Sequence, residues 1–139
     1  MMLKHPYLDV PYNPQLKHFL GGFDIYDCEE TLGSELAEYD PECHSDRVGL
    51  IYKFIVKRFS SLTYRHKFVL FSVLGEALDG EIGDLAKVFK HDPFSHSLLP
   101  FGWSEMKDPK SFFEHIYSIL SEVWTDDLYL ASQEDCSTW

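Results

Sequence analysis

Residues 63–80 read TYRHKFVLFSVLGEALDG, and this stretch decides the predicted fold. Thr63 is a favourable N-cap residue, and Gly80 is typical of the position after the last turn of a helix. The middle of the stretch, Phe68–Leu74, is apolar on nearly every side of a helix, as in helices at the centre of a domain. The sequence therefore predicts a buried central helix over Tyr64–Asp79, with Phe71 in the core.

Two shorter helices are predicted upstream from their caps and breakers. Asn13-Pro14 offers an N-cap followed by a proline at the first helical position, and Gly21-Gly22 ends that helix about two turns later. Asp27 and Glu30 have the spacing of a capping box, which begins a helix through about Tyr39.

The segment Arg47–Leu62 fits two patterns. A helix would place one set of apolar residues on a single face: Val48, Ile51, Ile55, Phe59 and Leu62. A strand would alternate a different set: Val48, Leu50, Tyr52, Phe54 and Val56. We favour the helix because the run exceeds the usual strand length, but the pattern leaves the strand open.

Downstream of the central helix, a short helix is predicted around Ile82–Phe89. Asp108-Pro109 then marks the clearest helix start in the chain, with an acidic N-cap and proline at the first position. That helix ends near Thr125 or continues to about Ala131, and the polar tail, residues 132–139, is expected to fray. The sequence thus predicts an all-α fold: a single compact domain over residues 1–139, with five to seven helices around a buried central helix.

Length and composition agree with one globular domain. The chain has 139 residues, of which 45% are hydrophobic and 16% aromatic, enough to build a core without metals or disulfides. No apolar run approaches the length of a membrane span, and residues 1–7 lack the features of a signal peptide. Cys28, Cys43 and Cys136 are odd in number and widely spaced, so we expect free thiols. These features predict a soluble, cytoplasmic protein.

Charge is the most informative bulk property. The net charge is −11, and it is distributed unevenly along the chain. Residues 1–46 carry −8, residues 47–67 carry +6 without a single acid, and residues 68–139 carry −9. A chain this acidic repels nucleic acid phosphates and anionic membranes, so neither is an expected partner. It can instead attract a basic protein.

The acidic segment, residues 24–46, contains nine acids and no lysine or arginine. It can be a solvated face neutralised by residues 47–67, or an interaction surface, since apolar residues are interleaved with its acids. We predict a partner-binding surface made of the nine acids and two aromatic anchors: Asp24, Tyr26, Asp27, Glu29, Glu30, Glu35, Glu38, Tyr39, Asp40, Glu42 and Asp46. Trp139 is a further candidate for an exposed anchor.

Motifs for chemistry are weak. Cys28, Cys43, His44 and Asp46 could in principle supply metal ligands, but adjacent Cys-His rarely chelates one ion and no C-x-x-C pair is present. The chain has no nucleophile elbow and no phosphate-binding glycine loop. We therefore predict no catalytic residue, no metal and no cofactor, and a protein that is not an enzyme.

One segment carries a family resemblance. It comprises Leu98-Leu99-Pro100-Phe101-Gly102-Trp103, Asp108-Pro109-Lys110-Ser111-Phe112-Phe113 and Trp124. With its size and acidity, the chain resembles the small acidic immunity proteins of bacterial toxin systems, particularly those of contact-dependent growth inhibition. The shared features are caps and core aromatics over about a third of the chain, so they transfer no functional residue.

The resemblance implies a cytoplasmic protein that binds and blocks a cognate toxin domain, commonly a cationic nuclease. Two alternatives remain at this stage. One is an acidic inhibitor from a phage or mobile element that imitates nucleic acid, and the other is a small metal-binding enzyme. A nucleic acid mimic would array its acids at phosphate-like spacing over an elongated surface, whereas this chain concentrates them in one segment.

Overall fold

The computed structural model describes residues 3–12, 14, 16–25, 29–80, 103, 107–135 and 138–139. Within these ranges the chain forms six helical segments and no β-strand, which confirms the all-α prediction. An isolated antiparallel bridge joins Lys4 to Pro11 in the N-terminal loop, residues 3–12. None of the helices in the described ranges combines the length and the apolarity needed to cross a membrane.

The helical segments follow the chain in a simple order. The first is a 3₁₀ helix at Leu16–Phe23, and the second is a π-helical turn at Glu29–Gly33 that leads into α1 at Ser34–Leu36. The third is α2 at His44–Ile51, which has a π-helical continuation at Tyr52–Val56. The remaining three are α3 at Tyr64–Asp79, α4 at Pro109–Val123 and α5 at Thr125–Ser132. The helix predicted at Ile82–Phe89 lies outside the described residues.

The caps of the two longest helices are those that the sequence predicts. The Thr63 hydroxyl accepts a hydrogen bond from the His66 backbone N–H at 3.3 Å, and α3 ends at Asp79, one residue before Gly80. The Asp108 carboxylate accepts from the Ser111 N–H at 3.2 Å at the start of α4. These bonds satisfy amide groups that the first turn of a helix leaves without partners.

Helix α3 is central in its contacts, and all of its side chains except Glu76 and Asp79 are buried or partly buried, in agreement with the predicted central helix. It packs against α4, α5 and the 3₁₀ helix. Its fully buried side chains are His66, Leu70 and Leu74, whereas Phe71 is half-buried and stacks on Tyr117 of α4, with ring centroids 4.4 Å apart. The most buried helix is α4, which contributes five buried side chains to the core.

The ambiguous segment after residue 47 is helical, which confirms the favoured alternative. Leu50, Ile51 and Ile55 are fully buried, whereas the Tyr52 side chain is 44% exposed, so the alternating strand pattern is wrong. The helix begins earlier than predicted, at His44, and ends earlier, at Val56, so residues 57–62 form turns. Its second half is wider than an α-helix, since the Lys57 N–H donates to the Tyr52 carbonyl, five residues back.

The first two helices differ from their predicted boundaries. The 3₁₀ helix runs through Gly21 and Gly22 instead of ending there, and the glycines permit close packing: a Cβ at Gly22 would lie 2.5 Å from the Phe54 carbonyl oxygen. Helix α1 ends at Leu36, short of Tyr39, because its hydrogen bonds tighten to three-residue spacing, as from the Tyr39 N–H to the Leu36 carbonyl. Asn13 and Asp27, the predicted caps, lie outside the described residues.

One hydrophobic core joins all of these helices except α5, whose Leu128 packs against it while partly buried. Aromatic rings dominate its centre, where Phe23 lies 4.8 Å from Trp103 and 6.3 Å from Phe112 between ring centroids. The buried core residues are Phe19, Leu20, Phe23, Ile25, Leu36, Leu50, Ile51, Ile55, Leu70, Leu74, Trp103, Phe112, Phe113, Ile116, Ile119, Leu120 and Trp124. Trp103 and Trp124 are therefore packing residues, as their helical context predicts.

The C-terminal tail differs from the frayed end expected from its polarity. Trp139 is only 5% exposed, so its predicted role as an exposed anchor is wrong. Its ring packs edge-on against Phe68 of α3, and its indole N–H donates to Glu134 at 3.1 Å. Glu134 in turn accepts from Arg65 at 2.9 Å and from the Tyr64 hydroxyl at 2.7 Å. These contacts hold the described tail residues against α3.

The tail is expected to detach at acidic pH. Hydrogen bonds, first from Arg65 and then from Tyr64, lower the pKa of Glu134 below its ordinary value of 4.5. A lowered folded-state pKa means that the stabilisation is complete above the ordinary value and is lost as the pH falls below it. Trp139 fluorescence, obtained by subtracting the Trp139→Phe spectrum, should report this transition. The same transition in Glu134→Gln would contradict the assignment.

Candidate functional site

The structure separates the predicted acidic surface into exposed and structurally engaged residues. Glu29, Glu30 and Glu38 are exposed, and within the described residues none of their carboxylates forms an ion pair. We call these three residues the open acids. They lie on or directly beside the π-helical turn and α1, in a stretch of chain without lysine or arginine. Tyr26 and Asp27 lie outside the described residues.

Three other acids of the segment hold its loop in place. The Asp46 carboxylate accepts from the Asp40 N–H, and the Asp40 carboxylate accepts from the Glu42 N–H, both at 2.9 Å. The Glu42 carboxylate accepts from the Lys107 N–H at 2.8 Å, which ties the loop to the start of α4. These carboxylates accept hydrogen bonds from backbone amides, so they fix the shape of the loop in addition to giving it negative charge.

Asp24 and Glu35 are partly buried. The Asp24 N–H donates to the Gly21 carbonyl at the end of the 3₁₀ helix. Glu35 forms an ion pair with Lys53, and the hydrogen bond between them raises the pKa of Lys53.

Between described residues, the ion pair that joins residues 47–67 to the acidic segment is Lys53 with Glu35. Arg47 donates to the Pro41 carbonyl and, at 2.9 Å, to the Ser111 hydroxyl, and its guanidinium lies over the Phe112 ring. Arg58 donates to the His18 carbonyl at 3.3 Å. Lys57 is exposed. Among the described residues, Arg47 and Arg58 form no ion pair with the acidic segment.

Tyr39 is less available as an anchor than its sequence position suggests. It is partly buried, and its ring meets Phe54 edge-on with centroids 6.3 Å apart. Tyr52, in the π-helical continuation of α2, is the more exposed aromatic of this region at 44%. The helical pattern of Arg47–Leu62 leaves Tyr52 off its apolar stripe, and that signal could have identified it.

The histidine and cysteine residues near this surface form no recognisable metal centre among the described residues. Cys43 is an exposed free thiol, and the Asp46 carboxylate is engaged by the Asp40 amide. The His44 ring stacks on His115 of α4 at 4.5 Å instead of pointing toward a common ion with Cys43. Burial, with the nearby charges of His44 and Arg47, lowers the pKa of His115. Cys28, the remaining candidate ligand, lies outside the described residues.

No protein-family model, curated protein or solved structure matches this chain.

Proposed function

We propose that this protein is an immunity protein, which binds a basic toxin domain through its acidic segment and covers the active site of that toxin. The observation that carries the proposal is the position of the open acids. They stay exposed and unpaired within the described residues, while Arg47 and Arg58 are directed to backbone carbonyls and aromatic rings. The negative field of the segment is therefore available to a partner.

A cationic nuclease domain fits this field best. Enzymes that bind the phosphates of nucleic acids present lysine and arginine in their clefts. An acidic surface accelerates encounter with such a cleft and orients the two proteins before close contact. The function requires neither a catalytic group nor a cofactor from this chain, and it places the protein in the cytoplasm, where the toxin would act.

Charge alone does not give tight binding, so the complex also needs desolvated anchors. Tyr52 offers an exposed aromatic ring. The next residue along the chain, Lys53, pairs with Glu35 of the acidic segment. Asp40, Glu42 and Asp46 keep the loop in one shape, which lowers the entropy lost on association. The proposed surface thus combines steering charges, an aromatic residue and a loop that is already ordered.

The direct test is a protection assay in bacteria. Each reading frame adjoining the gene for this chain is expressed with and without the chain, and growth is recorded. We expect one product, a basic domain with nuclease activity, to arrest growth and to be neutralised and co-purified by the chain. The proposal is wrong if the chain relieves no such toxicity. Inhibition of several unrelated nucleic-acid-binding proteins would favour the mimic instead.

A further inference from the structure

A cavity of about 330 Å³ has no residue of the acidic segment in its lining. It is bounded by the N-terminal loop, the 3₁₀ helix, the turn after the π-helical continuation of α2, and α3. Its lining includes Tyr12, His18, Arg58, Phe59, Leu62 and Leu70. The volume is that of a site for a small organic molecule, and such sites combine an apolar wall with a few polar groups.

Arg58 is the arginine in the lining of this cavity; its side chain is exposed, and its guanidinium has three described neighbours. It donates to the His18 carbonyl and lies over the Phe59 ring, 5.5 Å from the centroid. It also lies against Gly21, where any Cβ would come within 2.1 Å of Nη1. Among the described residues no carboxylate pairs with Arg58, although acids outnumber bases 23 to 12 in the chain. A guanidinium that has no counter-ion in the described part of the chain is suited to an anionic ligand.

Apart from Arg58 and two histidines, His5 and His18, the lining of the cavity is largely apolar or aromatic. Phe59 and Leu62 are partly buried, and Leu70 of α3 is buried. Burial raises the pKa of Tyr12 to about 12, so its hydroxyl stays neutral and does not repel an anion. These walls favour the apolar body of a ligand whose charge is confined to one end.

The N-terminal wall is fastened to α3 through His66. Its Nε2 donates to the Lys4 carbonyl at 2.7 Å, and its Nδ1 accepts from the Thr63 hydroxyl. The His66 ring also meets Tyr12 edge-on, with centroids 4.8 Å apart. The loop that closes this side of the cavity is therefore held by specific contacts, and the site is formed before any ligand binds.

We propose that this cavity binds a small organic monocarboxylate with an aromatic or branched apolar body. The carboxylate contacts the Arg58 guanidinium, and the body lies against Phe59, Leu62 and Leu70. A single guanidinium matches one negative charge, whereas a phosphate dianion would require further cations. The site lies outside the acidic segment, so it does not depend on the proposed toxin binding.

The test uses 3-phenylpropionate as the probe and 3-phenylpropanamide as its neutral counterpart, titrated into the full chain by calorimetry and by NMR. We expect one saturable site for the acid, with a Kd of about 0.1 mM for a ligand of this size. The amide should bind about tenfold more weakly, because it lacks the charge-assisted hydrogen bonds. Shifts should include the amide signals of Phe59 and Leu70.

Matched variants test the role of the guanidinium. Arg58→Gln should weaken binding of the acid about tenfold, whereas Lys57→Gln, the same charge change at the neighbouring exposed position, should leave it unchanged. Gly21→Ala keeps the charge but displaces the guanidinium, and it should also weaken binding. Circular dichroism of each variant verifies its fold. The proposal is overturned by absence of saturable binding, by equal binding of acid and amide, or by unchanged binding in Arg58→Gln or Gly21→Ala.

Discussion

Replacing Phe112 with alanine should lower the free energy of unfolding by about 3–5 kcal/mol. The Phe112 side chain is fully buried in α4, and its ring contacts those of Phe23 and Trp103 at the centre of the core. Removing the ring leaves a cavity that neighbouring side chains fill only in part, and it also removes the surface on which the Arg47 guanidinium rests. Urea denaturation followed by far-ultraviolet circular dichroism measures the loss.

Phe71→Ala is the matched control, since it removes the same ring from a half-buried position on α3. Its main described contact is the stacked ring of Tyr117. We expect a smaller loss, of about 1–2 kcal/mol. Equal losses at the two positions would contradict the half-buried position of Phe71 and would favour the fully buried Phe71 predicted from the sequence.

Changing the open acids together to glutamine should slow association with the toxin domain about tenfold at low salt. The effect falls on the association rate because exposed charges act mainly before close contact forms. Stability should change little, since Glu29, Glu30 and Glu38 form no ion pair among the described residues. Stopped-flow mixing over a range of ionic strength measures the rate, and thermal unfolding verifies the fold.

A second triple variant distinguishes the effect of charge within the acidic segment from the effect of the net charge of the protein. Glu114, Glu122 and Asp126 are exposed acids on α4 and α5, and neutralising them removes the same three charges from another part of the protein. We expect the rate to fall much less in this variant. If it falls as far or further, the acidic segment is not the contact surface, and the interface lies near Asp126, Asp127 and the tail.

The parts of the fold that local sequence encodes were predictable. Thr63 and Gly80 mark the ends of α3, and Asp108-Pro109 marks the start of α4, because a cap acts on amides within one turn of itself. The helix over the first part of Arg47–Leu62 was favoured by the length of the apolar run, although the spacing itself also fitted a strand. Each of these signals operates over a few residues, so it can be recognised in one sequence.

Contacts between distant residues were not predictable in this way. Arg65 and Glu134 are 69 residues apart, and nothing near either residue indicates that they pair and hold the tail. The prediction of the candidate functional site was limited in the same way. Sequence identified an acidic segment, but not that Glu42 binds an amide 65 residues away while Glu38 stays exposed. The cavity was missed because its walls come from four separate stretches of chain.

The π-helical continuation of α2 has a consequence for the chain length that this region tolerates. A hydrogen bond from residue 57 back to residue 52 encloses one residue more than an α-helical turn does. Deleting one residue there can restore an ordinary turn and leave the flanking faces in register. The same deletion within α3 would rotate every following side chain by about 100° and move Leu74 out of the core. Single-residue insertions and deletions among relatives of this chain should therefore concentrate at Tyr52–Val56.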